Sequence, residues 1–253
     1  MKITFFAIIG LVMLSLPYIN AQTANDNSVT VIAKWHEHET HLYEYTQHKL
    51  VISDGDTTMT TEFSRKFTIE VNDSSQHFYL LKYHPADTLP QQHLAIDSIP
   101  LELMTNHNGA LIKVLNWDNY MALFQDIQVA SDAIFPFAAL VSYNGKSLKL
   151  DYKYQGAELV SGDKIGVSTD SIIAHTEMIA SREFSGADAE ALITVNTTTK
   201  YTLHDNPKPI GVTDYFKQVI DCSKGWAIAT YIAREFTDET YSIIETKSIQ
   251  LLD

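Results

Sequence analysis

Arginine and cysteine are scarce in this 253-residue chain: there are three arginines and one cysteine, and Lys+Arg total 18 against 31 Asp+Glu. The formal net charge of −13 argues against a nucleic-acid partner, which would need a basic surface to neutralise phosphates. Cys222 has no second cysteine to pair with, so a disulfide scaffold is excluded and the fold must be held by its core. With no His or Asn spacing to single it out, Cys222 reads as a small buried hydrophobe rather than a nucleophile. The sequence also lacks a G-x-S-x-G elbow, a phosphate-binding loop and a dinucleotide fingerprint. Ser161-Gly162-Asp163-Lys164 matches S-x-x-K, but in a polar loop without the other parts of such a site. Carboxylate pairs are too common in so acidic a chain to mark an acid/base couple. No catalytic residue, cofactor or metal site is therefore expected.

What is present is an ordinary globular composition, 45% hydrophobic, sufficient for a buried core. Residues 1–21 read as a secretory signal: Lys2, an apolar run from Ile3 to Leu16, then Pro17 and Ala21 as the cleavage position. The run is too short for a membrane-spanning helix, which needs about 20 apolar residues, so no transmembrane anchor is expected. The reading is a periplasmic or secreted protein. Residues 22–27 form a polar leader and 28–253 a single β-rich domain, with a sub-division near residue 145 as the alternative.

Period-two alternation dominates the chain and predicts strands with one buried face. From Thr57 to Val71 the odd positions supply Met59, Phe63, Phe67, Ile69 and Val71. Asp54-Gly55 predicts a type I′ hairpin joining this run to His41–Ile52, with Leu42 opposite Phe67, Glu44 opposite Arg65 and Leu50 opposite Met59. Further strands are expected at Gln76–Tyr83, Leu101–Thr105, Leu111–Leu115, Ser147–Tyr154, Ser171–Phe184, Ala191–Leu203, Trp226–Phe236 and Tyr241–Leu251. A helix capped by Asn116 would carry Trp117, Tyr120, Met121, Phe124 and Ile127 on one stripe. An apolar segment follows from Ala133 to Val141. A second helix, Thr213–Asp221, would turn Phe216, Val219 and Ile220 inward. The fold class is mainly β (α+β): a curved antiparallel sheet or half-barrel covered by two or three helices.

Each arginine precedes a phenylalanine by two residues on a strand: Arg65 and Phe67, Arg182 and Phe184, Arg234 and Phe236. The alternation puts all three on apolar faces, where a guanidinium needs an anion. Arg65 with Glu44, and Arg234 with a diagonal Glu245 beyond a two-residue turn at Asp238-Glu239, read as structural ion pairs. Arg182 has no such partner, which makes it the candidate anchor for a ligand's carboxylate, phosphate or head group. Phe184, Met178, Phe63, Phe67, Trp226 and Ile228 would then line an apolar cavity around it. The histidine-rich stretch from Trp35 to His41 does not have the zinc-protease spacing, since Thr40 and Leu42 stand where a second histidine is required, and it reads as a solvated turn.

The segment from Pro100 to Gly109 (Pro-Leu-Glu-Leu-Met-Thr-Asn-His-Asn-Gly), with Ile112 to Trp117 after it, resembles uncharacterised secreted β-rich envelope proteins. In those a hairpin with a turn glycine leads into an Asn-Trp-capped helix. The resemblance implies a secreted β-rich fold and brings no catalytic residues. At the level of fold, a curved sheet with helices on its concave side is similar to the half-barrel of outer-membrane lipoprotein carriers, which hold acyl chains. Three functions follow in order. The first is a non-enzymatic extracytoplasmic carrier of an apolar or lipid-like ligand. The second is an envelope scaffold or protein-interaction module with a packed core, and the third a hydrolase of unknown type. Cavity-lining residues in mutual contact would favour the second.

Overall fold

The structure, a computed structural model, describes residues 27–85, 100–122, 135–165, 171–183, 192–204 and 209–252. The expected signal segment, the leader up to residue 26, Phe184, Phe124 and Ile127 lie outside the described residues. Thirteen strands appear among those described: β1 (Ser28–Thr30), β2 (Thr40–Ser53), β3 (Asp56–Ser74), β4 (Phe78–Pro85), β5 (Leu101–Asn106), β6 (Leu111–Val114), β7 (Ser147–Lys149), β8 (Lys153–Val160), β9 (Ile172–Glu183), β10 (Leu192–Leu203), β11 (Pro209–Asp221), β12 (Trp226–Thr237) and β13 (Tyr241–Leu251). β1 pairs with β7. The other eleven form one open antiparallel sheet in the order β6-β5-β4-β3-β2-β13-β12-β11-β10-β9-β8.

The order resolves into two meanders, β2 to β6 and β8 to β13, each made of sequential neighbours. They are joined where β13 pairs with β2, from Tyr241 opposite Ser53 to Leu251 opposite Tyr43. Strands on both sides of residue 145 thus share one hydrogen-bonded sheet. Among the described residues helical cover is thin: α1 (Trp117–Met121), residues 135–140 and a 3₁₀ turn at Gly162–Ile165. No helix among the described residues is long and apolar enough to cross a membrane.

Residues 135–140 are buried on nearly every side, as their uniform apolarity requires. Phe135, Phe137 and Leu140 join Tyr43, Phe67, Leu81 and Trp226 in the largest core cluster. Smaller clusters form around Met178, Val195 and Ile220, and around Ile172, Tyr201 and Val212.

Three expectations about elements are corrected. The segment Thr213–Asp221 is strand, not helix. Its inner face runs Val212, Asp214, Phe216, Gln218 and Ile220, and two polar residues on that face hid the period-two pattern. The expected strand Ser147–Tyr154 breaks at Asp151, which adopts φ 57°, into β7 and β8. Asn116 turns its side chain back to the sheet, where Oδ1 accepts from the Glu102 amide at 2.9 Å and Nδ2 donates to the Pro100 carbonyl at 2.8 Å.

The Asp54-Gly55 turn forms as expected, with φ 50° and 85°, the two positive values that a type I′ turn requires. Ser53 pairs with Asp56 and Ile52 with Thr57, but Val51 then pairs with Met59. Thr58 is an extra, bulged residue whose hydroxyl donates to the Val51 carbonyl at 3.2 Å. That one insertion moves every later pair by one place. Tyr43, not Leu42, faces Phe67, and Tyr45, not Glu44, faces Arg65.

Candidate functional site: the inner polar strip

The strand registers carry a band of polar residues across the inner face. In one row Thr199, Asp214, Arg234, Glu245 and Lys49 are successive cross-strand neighbours. In the next, Thr197, Phe216, Ile232, Lys247, Gln47 and Phe63 follow one another. Alternation along each strand therefore delivers charges to the buried side at intervals, among apolar neighbours.

Arg234 and Asp214 form a two-pronged pair, with Nε to Oδ1 at 2.6 Å and Nη2 to Oδ2 at 2.7 Å. Tyr201 donates its hydroxyl to the same carboxylate at 2.6 Å. Burial works to lower the Arg234 pKa, but the Asp214 carboxylate overrides it and holds the guanidinium more firmly protonated. Burial and the Asp214 charge push the Tyr201 phenol above its ordinary range. Beside Arg234, a hollow with room for about one water molecule is lined by Glu158, Thr199 and Tyr201 among others.

A second network runs along β2 and β13. The Tyr45 hydroxyl donates to Gln47 Oε1 at 3.0 Å, and Gln47 Nε2 donates to Glu245 Oε1, also at 3.0 Å. Lys247, only 6% exposed, places its amine 3.5 Å from that carboxylate and 4.8 Å from the centre of the Phe135 ring. Glu245 lies directly opposite Arg234 rather than diagonal to it, because the hairpin turns one residue later than expected, with Asp238 bonded to Tyr241. Arg234 is thus structurally paired, with Asp214 as its direct partner.

The expected Arg65–Glu44 pair does not form. The bulge at Thr58 puts the two residues on opposite faces, and Glu44 instead accepts from Ser64 at 3.2 Å. Arg65 lies over the Tyr45 ring at 5.4 Å and the Phe63 ring at 6.0 Å, and its Nε is buried without an acceptor. Arg182 is in phase with the buried residues of β9 but is itself exposed at the strand's end, opposite Ile193. The argument that burial obliges it to hold an anion therefore does not apply. Its charge is felt by the Cys222 thiol, which burial and Asp221 nonetheless push up to about 11.

The residues expected to line a cavity are dispersed and in contact with neighbours. Phe67 stacks on Tyr43 at 5.4 Å and meets Tyr83 at 5.0 Å. Trp226 stacks on Trp35 at 4.2 Å. Met178 belongs to a different cluster, Phe63 is 38% exposed, and Ile228 is the unpaired residue of a bulge in β12. The histidine-rich stretch forms a turn that is pinned rather than free. Glu39 accepts from His41 at 2.7 Å, from Trp226 Nε1 at 2.9 Å and from the His36 amide at 2.9 Å. No group of three metal-ligating side chains forms among the described residues.

Sequence reasoning missed Gln218. It is fully buried on β11 and donates to the Ala139 carbonyl at 2.8 Å, the Leu140 carbonyl at 3.2 Å and Thr230 Oγ1 at 2.9 Å. The Leu140 carbonyl at the end of helix 135–140 is satisfied in this way, while the Ala139 carbonyl also accepts from the Ser142 amide at 3.3 Å. The signal was available as a lone polar residue at even spacing from Asp214, but only once β11 is read as a strand.

No protein-family model matches the chain, and no curated protein does. Among solved structures, the crystal structure of MucB in complex with MucA(peri) aligns at 10% identity over 84% of this chain and 88% of that one, with a TM-score of 0.16.

Proposed function

We propose that the protein is a non-enzymatic, extracytoplasmic interaction module that works through the surface and edges of its sheet rather than by holding an apolar ligand inside. One observation carries this reading. Phe67 and Trp226, expected to line a cavity, are closed by aromatic stacking on Tyr43 and Trp35, and helix 135–140 fills the same core. Packing of this kind leaves side chains little freedom to admit an acyl chain without losing their contacts. The exported location rests on the signal-like residues 1–21.

The test is native mass spectrometry of the protein purified from its own envelope, followed by titration with a fluorescent fatty acid. A mass equal to that of the mature chain and no uptake are expected. Reproducible co-purification of a lipid, with saturable uptake of the probe, would overturn the reading in favour of a carrier.

A further inference from the structure

β3 pairs with β2 from Asp56 to Glu70, but with β4 only from Phe67 to Ser74. Residues 56–65 therefore have one hydrogen-bonding edge unpaired among the described residues. Asp56–Ser64 are exposed on both faces of the sheet, including Met59 at 46% and Phe63 at 38%. The segment is rich in threonine, with Thr57, Thr58, Thr60 and Thr61, and between Thr57 and Arg65 it has neither proline nor lysine. Open edges are usually blunted by such residues, because a row of free backbone donors and acceptors templates another strand. Here the edge has high strand propensity, and its blunting is confined to the bulge at Thr58 near its start and the charges of Glu62 and Arg65, which leaves residues 59–65 as a regular strand.

Its side chains indicate what would be accepted. Met59, Thr61, Phe63 and Arg65 share the inner face by alternation. Arg65 carries a buried Nε with no acceptor, while its guanidinium is braced over Tyr45 and Phe63. A buried donor without a partner is uncommon and calls for an acceptor. A strand added along this edge would place alternate side chains beside these four residues. We propose that residues 57–65 of β3 take up an extended segment of a partner protein by strand addition. That segment would present a carboxylate beside Arg65 and apolar side chains beside Phe63 and Met59. The inference rests on the interaction-module reading and names its surface and partner chemistry.

Hydrogen exchange on the full chain, read by mass spectrometry, tests it with a defined probe: the blocked peptide Ser-Glu-Thr-Val-Thr-Thr-Thr-Leu-Ser. In antiparallel pairing this peptide sets Glu at Arg65, Val at Phe63 and Leu at Met59. Part of the 57–65 amides should exchange fast in the free protein and slow on adding peptide. R65E should weaken the Glu peptide about tenfold or more, as loss of a charge-assisted bond implies, and should gain affinity for the same peptide with Lys in place of Glu. The charge-swap rescue separates recognition from misfolding. Protection of the edge before peptide is added would overturn the proposal: if independent of concentration it means cover by the chain itself, and if concentration-dependent a second copy. Peptide binding without protection at 57–65 would overturn it as well. In each of these cases the absence of fatty-acid uptake still leaves the interaction-module reading standing, whereas uptake removes both.

Discussion

Gln218 shows what a single buried amide holds together. The two hydrogens of its Nε2, shared among three acceptors, join β11 to β12 and to the last turn of helix 135–140. Gln218→Leu keeps the volume but removes the partner of the Leu140 carbonyl and one of the two partners of the Ala139 carbonyl, and should cost about 1–3 kcal/mol, read from urea unfolding. Asp214→Ala, which takes from the half-buried Arg234 its two-pronged partner, should cost about 2–3 kcal/mol, and replacing both residues with Leu and Met should recover much of that loss. Glu39 adds a pH dependence. Burial works to raise its pKa, but the His36 amide, His41 and Trp226 together hold the carboxyl below its ordinary value. A depressed carboxyl contributes stability above its unfolded pKa and loses it as pH falls through the folded one. The gap between wild type and Glu39→Gln in urea unfolding should therefore be full near neutrality and close in acid, below the ordinary carboxylate range.

At the scale of elements, two turns should respond differently to the same change. Gly55 has φ 85° with open space where a Cβ would stand, so Gly55→Ala meets only the left-handed backbone penalty, about 1 kcal/mol. Gly225 has φ 75° and a Cβ there would lie 2.5 Å from the Ile32 carbonyl oxygen, so Gly225→Ala should cost more, about 2–4 kcal/mol, and loosen the contact between the β11–β12 turn and residues 32–33. Thermal unfolding of the pair checks the ordering. Most strands were legible in the sequence, because alternation between turn residues reports a one-sided sheet directly; Tyr241–Leu251 matches to the residue. What was not legible came from two local causes. Thr58 gives no sign in its composition that it bulges, yet it displaces the register and with it the partner of Arg65. In β11, Asp214 and Gln218 occupy inner positions that an apolar pattern would fill, so Phe216, Val219 and Ile220 looked helical. The inner polar strip depends on both features, and so it emerges only in three dimensions.

At the scale of the whole molecule, the sheet is two meanders sewn together by one seam, β13 against β2. Within each meander every strand meets its sequence neighbour. Across the seam, contacts such as Thr46 with Ser248 join residues 202 positions apart. Hairpins of either meander can form as soon as their own strands exist, whereas the seam must wait for a closure that brings no local reward beforehand. Until it closes, the molecule has two extra raw edges, one on β2 and one on β13, each able to capture a wrong strand. Refolding should accordingly show a slow final phase, and an assisting factor that shields strand edges would have its window of action there.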